Sequence, residues 1–466
     1  MSYSRIEEPC DFEVRTDGDD TNGGGFAAPA SSYSTGTDRS QQASAYVATG
    51  SGGVTATTMA GSGSLYRRSV VLSGHIVASA DVGNLVSLTC SDSDVFDGLY
   101  MIKAVDTSTN TWEFISENRN STTALNASGV SVTFKMGGAF ASPGMVGYLQ
   151  DFWINDKFIL DVWVKSGTYT LSSTSSNVSG GWLSVLGGSQ MKIEGYETTR
   201  GDSRSGGARP VIAAGSSGHT GTMLTVNTGS LFAVEIDGGG TATDGVTLGN
   251  YNSLAAYCKV SNLGAWGEGF TNYGTAVCCE ATGCHKGFTS RFSAMNCVAH
   301  DCTYGFDQPR QYLRKCLAYD CTEGFYLTES GAINCAADDC GTAGFTSSDY
   351  TRIVSSVATN CGTGFNLSAA RGTVLWECGA YNNTANYPSS TSIAVEGFIA
   401  LGSDPWEDQS ARDYRLNSET DGGELLKGKG LGFPGQTADS DINAFVTASS
   451  GGSTTVVTPG PVQIGM

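Results

Sequence analysis

The chain has 466 residues, 63 of them Gly and 10 Pro, and a formal net charge of -19 from 26 basic and 45 acidic side chains. It is too long for one compact core, suggesting about two or three domains, and small turn-formers between short apolar runs argue for an all-β protein. No Lys/Arg cluster offers nucleic acid a footing, and no run of about 18 apolar residues exists to span a membrane.

Residues 1–60 are rich in Gly, Ser and Thr and poor in apolar side chains, which reads as an extended N-terminal arm. The first ten residues, Met-Ser-Tyr-Ser-Arg-Ile-Glu-Glu-Pro-Cys, lack the basic and apolar regions of a secretion signal. Synthesis in a host cytoplasm and release by lysis would reconcile this with a surface-type β-protein; a removed signal is the alternative. Residues 61–140 read as a small β-domain, with strands expected at 69–77, 85–89, 99–105, 111–116 and 130–135.

From 145 the spacing changes. Apolar segments at 162–164, 168–171, 191–196, 210–213, 223–226 and 231–236, each closed by Gly or Asn, read as irregular early coils of a solenoid. After residue 255 a repeat becomes explicit. Cys279/Cys284, Cys297/Cys302, Cys316/Cys321 and Cys335/Cys340 share the spacing Cys-x4-Cys. Two residues after each first Cys stands Ala281, Ala299, Ala318 or Ala337. Four after it stands a turn residue: Gly283, Asp301, Asp320 or Asp339. A Gly-Phe pair then follows, giving Phe270, Phe288, Phe306, Phe325, Phe345 and Phe365 at spacings of 18, 18, 19, 20 and 20. Four columns in phase over six or seven copies specify a right-handed parallel β-helix over 145–400, of about 12 coils.

The column chemistry fits that fold. The first Cys and the Ala lie two apart and share a strand face, Asn, Asp and Gly tolerate a left-handed bend, and Gly lets the chain turn again to bury Phe. Stacked coils join Phe288, Phe306, Phe325 and Phe345, and likewise the Ala and Cys residues, into continuous ladders. Residues 401–435 close the helix, and 436–466 form an extended tail.

Of the 14 cysteines, 12 lie in the repeat. The spacing is not that of a zinc site, and only four His are present. Disulfides between stacked coils are within reach, but buried free thiols acting as small apolar groups fit a reducing site of synthesis better. Cys10 and Cys90, outside the ladders, are the candidates for an intermolecular cross-link. Asp301, Asp320 and Asp339 read as exposed turn residues, with a calcium site the sharper alternative. Hydrolysis of a glycan needs two carboxylates on one groove. Asp338-Asp339 and Asp19-Asp20 are adjacent, and strand neighbours face opposite sides. Trp266 and Trp376 could stack on sugars or pack locally. The sequence therefore assigns no catalytic, cofactor-binding or metal-binding residue, and it implies no cofactor.

Glu13-Val14-Arg15-Thr16-Asp17-Gly18-Asp19-Asp20-Thr21-Asn22-Gly23-Gly24-Gly25-Phe26 resembles the opening of bacteriophage and environmental right-handed β-helix proteins. Asp81-Val82-Gly83-Asn84-Leu85 with Gly98-Leu99-Tyr100 looks like the small β-domain that follows there. Ile193-Glu194-Gly195-Tyr196, Arg200-Gly201-Asp202 and Arg209-Pro210-Val211-Ile212 are similar to first coils of the pectate-lyase-like superfamily. Asp413-Tyr414-Arg415-Leu416-Asn417 and Gly432-Phe433-Pro434-Gly435 resemble its closing segment. The resemblance implies a protein of the virion surface, often a homotrimer: a spike, a collar or head fibre, or a capsid decoration. Its partners would be other virion proteins and host surface glycans. The function expected first is structural, stabilising the particle or attaching it to the host. A tailspike-type enzyme on host polysaccharide and a cellular adhesin or carbohydrate-binding module are the two alternatives.

Overall fold

The computed structural model describes residues 10–27, 36–58, 65–73, 75–90, 98–117, 132–142, 159–171, 190–202, 207–215, 220–226, 229–289, 293–309, 311–367, 372–386 and 394–427. They belong to two units. The first comprises Met1–Tyr169, Trp182–Gly201 and Thr228–Ser230; the second comprises Thr170–Gly181, Asp202–Asn227 and Leu231–Met466.

In the first unit the strand Cys10–Val14 pairs antiparallel with Gly25–Ala27 and parallel with Ile159–Lys165, which in turn pairs with Gln190–Tyr196. The arm expected over 1–60 is therefore sheet across much of its described length. Phe12 and Val14 are fully buried, which an extended arm could not achieve. Between these rungs the chain forms a closed barrel: Tyr46–Thr58, Leu65–Ser73, Thr111–Glu117, Gly98–Asp106, Leu85–Cys90 and Val132–Met136. Trp112, Tyr100, Phe114 and Phe134 fill it. Asp81, buried at one end, ties in His75 at 2.7 Å and the Trp112 indole N–H at 3.0 Å.

The second unit is a right-handed parallel β-helix with three sheets. The first runs through Leu254–Ala256, Thr275–Val277, Ser293–Met295, Tyr312–Arg314, Gly331–Ile333, Arg352–Val354 and Val374–Trp376. The second contains Lys259–Ser261, Glu280–Thr282, Val298–His300, Leu317–Tyr319, Ala336–Asp338 and Val357–Thr359. The third runs from Thr222–Val226 and Asp244–Leu248 through Glu268–Asn272, Lys286–Thr289, Tyr304–Asp307, Glu323–Leu327 and Ala343–Ser347 to Thr363–Asn366. Its eight rungs define about eight complete turns, fewer than the 12 expected. Among the described residues, the strands before Pro210 contribute no rung to this sheet.

Small side chains set the bore. Ala281, Ala299, Ala318 and Ala337 pair rung to rung in the second sheet and are all fully buried. Opposite them, a Cβ on Gly287 would sit 2.6 Å from the Gly305 carbonyl oxygen and 3.1 Å from Ala299 Cβ, so no other residue fits. The Phe rings stack beside this seam. Centroids lie 4.9 Å apart for Phe270–Phe288, 4.8 Å for Phe288–Phe306 and Phe306–Phe325, and 4.6 Å for Phe325–Phe345.

Each coil turns through two left-handed residues. One column is Asn262, Gly283, Asp301, Asp320, Asp339, Asn360 and Asn382, with φ of 50–60°. The other is Tyr257, Cys278, Asn296, Lys315, Asn334, Ser355 and Glu377, with φ of 47–57°. Most of these types do not favour that region. Each is held by a backbone bond to the following coil, such as Cys278 N–H to the Met295 carbonyl at 2.9 Å and Lys315 N–H to that of Ile333 at 3.0 Å.

Candidate functional site

The outer faces of the second and third sheets carry very different side chains. On the second, Leu317, Ala336 and Val357 form an apolar column. The closing segment folds back over it through the hairpin Trp406–Asp408/Asp413–Leu416 and the helical turn Gly423–Leu426. Trp406, Tyr414, Leu416 and Leu426 complete one buried cluster with that column. Asp338 is buried beneath it, accepting from Thr359 Oγ1 at 2.6 Å, Gln409 Nε2 at 2.8 Å, Tyr414 OH at 2.9 Å and Asn360 Nδ2 at 3.0 Å.

No segment among the described residues covers the third sheet in this way. Asp244, Glu268, Lys286, Tyr304 and Glu323 occupy successive rungs of one column, with Asp307 and Tyr326 in the column beside it. Lys286 Nζ lies 2.8 Å from Asp307 Oδ2 and 3.5 Å from Glu268 Oε1. The two carboxylates it bridges can therefore be no farther apart than those distances together. Burial raises the Glu268 carboxyl above its ordinary range; Lys286 opposes this, while Asp244 and Asp307 add to it. Burial likewise raises Glu323, with Asp307 adding to it. Burial works to lower Lys286, but Asp307 and Glu268 outweigh it and hold the ammonium charged.

Aromatic rings flank these charges. Trp266 is 78% exposed and meets His285 edge-on at 4.8 Å; His285 meets Tyr304 at 5.7 Å, and Tyr304 meets Tyr326 at 6.4 Å. His285 also lines an open depression of ≈ 470 Å³ at the turn entering the sheet, with Ala265, Asp301, Thr303, Asp320 and Thr322. At its far side His300 stacks on Tyr319 with ring centroids 4.8 Å apart. Its Nε2 lies 3.2 Å from Glu280 and its Nδ1 2.7 Å from Asp301. Burial works against the His300 charge, but Glu280 and Asp301 prevail and raise its pKa. Burial also opposes ionisation of Glu280, yet His300 and Lys259 pull its pKa down to about 2.

The residues singled out by the repeat lie inside the coil. Cys279, Cys284, Cys297, Cys302, Cys316, Cys321, Cys335 and Cys340 are 0–4% exposed and carry free thiols. Cys279 Sγ donates to the Val277 carbonyl at 3.4 Å and Cys302 Sγ to that of His300 at 3.2 Å. Burial pushes the thiols of Cys279, Cys297 and Cys316 well above their ordinary pKa. Cys10 is also buried, at 2% exposure, and the Cys90 side chain lies outside the described residues. Asp320 pairs with Arg412 of the closing segment, and Asp301 with His300. Arg200 is held by Glu13 at 2.9 Å, Asp38 at 3.3 Å and Asp11 at 3.4 Å, so the Arg of the Arg-Gly-Asp triplet is an internal ion-pair partner of the first unit. Trp376 is 39% exposed on the first sheet, away from the carboxylates.

Among the described residues no group of three or more His, Cys, Asp or Glu is placed to hold a metal ion. Sequence reasoning missed the carboxylates Glu268 and Asp307. They lie 39 positions apart and meet only because coils of 18 residues stack in register.

No protein-family model and no curated protein matches the chain. Solved structures give likenesses of architecture. The A-module of the mannuronan C-5 epimerase AlgE4 of Azotobacter vinelandii has a TM-score of 0.37 at 13% identity, over 55% of this chain and 76% of that one. The A-module of AlgE6 from the same organism has 0.32 at 11%, over 52% and 91%. The catalytic domain of a GH87 alpha-1,3-glucanase in complex with nigerose has 0.30 at 9%, over 77% and 91%. At these values they say nothing about this chain's substrate.

Proposed function

We propose that this chain is a glycan-binding β-helix that holds an extended polysaccharide along the outer face of its third sheet. The observation that carries this reading is the aromatic ladder beside the hydrogen-bonding carboxylates. Trp266 is large, apolar and 78% exposed, and it heads a run of neighbouring rings rather than standing alone, which is what makes it informative. His285, Tyr304 and Tyr326 continue from it rung by rung, at the spacing of an extended ligand rather than a compact one. Carboxylates between the rings offer acceptors to sugar hydroxyls.

A second reading adds cleavage, favoured by Glu268 and Asp307. Two carboxylates that share one ammonium stand on one outer face, as the acid and its partner in glycosidic hydrolysis must. Glu268, raised by burial, suits the proton donor. Asp307, 2.8 Å from Lys286 and 8% exposed, is the candidate second carboxylate. The proposed setting is the outer surface of a bacteriophage particle, as a homotrimer among other virion proteins, on the strength of the resemblance of residues 13–26.

The test is retention of the labelled full chain on an array of bacterial surface polysaccharides. Trp266→Ala should lose at least tenfold in affinity for whatever glycan is retained. No retention of any glycan sinks the binding reading. Clearing zones on a retained glycan, abolished in Glu268→Gln, support cleavage; their absence with intact binding leaves a binding protein.

A further inference from the structure

We infer, resting on the glycan-binding reading above, that the polysaccharide taken by the third sheet carries no anionic groups. The argument is one of charge within reach of the ligand. Asp244, Glu268, Asp307 and Glu323 lie along four different rungs of the same outer face. Among the described residues of that face, Lys286 is the only cation. It is not available to a ligand anion, because Asp307 and Glu268 already share it at 2.8 and 3.5 Å.

A uronate, sialate or phosphate threaded past the aromatic ladder would therefore meet carboxylates with no free counter-charge. Rungs stack about 4.8 Å apart, well inside a Debye length of about 8 Å at physiological salt, so each anionic sugar would face several like charges together. Screening is weak here because Asp307 is only 8% exposed. Recognition of anionic sugars is the work of Arg and Lys forks, and among the described residues this face supplies no cation beyond the paired Lys286. Neutral sugars meet the opposite situation. Their hydroxyls are donors, and the carboxylates are acceptors with lone pairs to spare. The depression at the sheet's entrance is lined by His285, Thr303, Thr322 and two carboxylates already paired, Asp301 with His300 and Asp320 with Arg412. The net charge of -19 adds a repulsive field at longer range.

The same polysaccharide array tests this with neutral and acidic polymers side by side. The probes include polygalacturonate and alginate as acidic arms and their carboxyl-reduced forms as matched neutral backbones. The expected result is that every glycan retained through Trp266 is neutral or basic, with acidic polymers bound at least tenfold more weakly. Glu323→Lys should narrow that gap by bringing a free cation to the face. Trp266-dependent retention of an acidic polymer in preference to its neutral counterpart would overturn the inference while leaving the glycan-binding reading intact. Retention of nothing would overturn both.

Discussion

The second and third sheets are built from the same coils, yet their outer faces have opposite fates. On the second, Leu317, Ala336 and Val357 are apolar and lie beneath Trp406, Tyr414 and Leu426. On the third, Glu268, Lys286, Tyr304 and Glu323 occupy the corresponding outward column, beside an exposed tryptophan. Every coil must bury its inward residues to stack, but nothing in the stacking dictates what faces outward. Outward side chains report what each face meets: here the chain's own closing segment on one side, and on the other the ligand we propose.

Substitutions can sharpen that contrast, beginning inside the coil. Phe306 is fully buried between Phe288 and Phe325, with both ring centroids 4.8 Å away. Phe306→Ala should cost about 3–5 kcal/mol, read as a lowered urea midpoint; an unchanged midpoint would mean that the ring stack bears little of the stability. Next comes the covered face. Asp338→Ala leaves the Tyr414 and Thr359 hydroxyls without their acceptor. The expected loss is about 2–4 kcal/mol, together with faster proteolysis of the closing segment. Should the segment remain as protected as before, Asp338 does not hold it down.

Ala318 tests the bore. It stacks between Ala299 and Ala337, and a Cβ on Gly305 would lie 3.0 Å from its own. Ala318→Leu should overpack and cost about 1–3 kcal/mol. A melting temperature equal to that of the unaltered chain would place the Ala column outside the core.

The smallest effect concerns pH at the boundary between the faces. His300 has its pKa raised in the fold, against burial, by Glu280 and Asp301. Its contribution is therefore complete below the unfolded value near 6.5 and is lost as pH rises through the raised one. Glu280, lowered to about 2 despite burial, contributes above the unfolded value near 4.3 and loses this as pH falls toward 2. The pair is thus strongest between those limits. His300→Gln should flatten the alkaline side of the stability profile; a profile of unchanged shape would show that the imidazole does not titrate with folding.

What the sequence made legible follows the same division between inside and outside. The Ala, Phe, Cys and Asn/Asp columns repeat because each coil meets an identical neighbour above and below. Their types are also diagnostic: small for the seam, flat for the stack, left-handed-tolerant for the bend. The other left-handed column escaped notice because Tyr257, Cys278, Lys315 and Glu377 are not turn formers. Ladder bonds to the next coil place them there, and these have no signature in composition. Glu268 and Asp307 escaped for a related reason, since no outward position needs to repeat. The N-terminal segment misled in the other direction. Gly-rich and polar, it reads as an arm, yet Gly24 needs its left-handed φ of 73° where a Cβ would meet the Phe140 ring at 2.1 Å. Phe12 and Val14 are buried against later strands that local composition does not reveal.

The most direct test sets one tryptophan from each face against the other. Trp266 is 78% exposed in the turn that leads into the Glu268–Asn272 rung of the third sheet; Trp406 is 2% exposed over the second, donating to Thr359 Oγ1 at 3.1 Å. With Trp266→Ala and Trp406→Ala measured in parallel for melting temperature and polysaccharide retention, the account predicts a crossed result. Trp266→Ala should melt as the unaltered chain does and lose its glycan, whereas Trp406→Ala should melt several degrees lower, for a loss of about 3–5 kcal/mol, and keep its glycan wherever it remains folded. A Trp266→Ala protein that still binds, or one that loses stability as Trp406→Ala does, would contradict the assignment of the third sheet as the binding face.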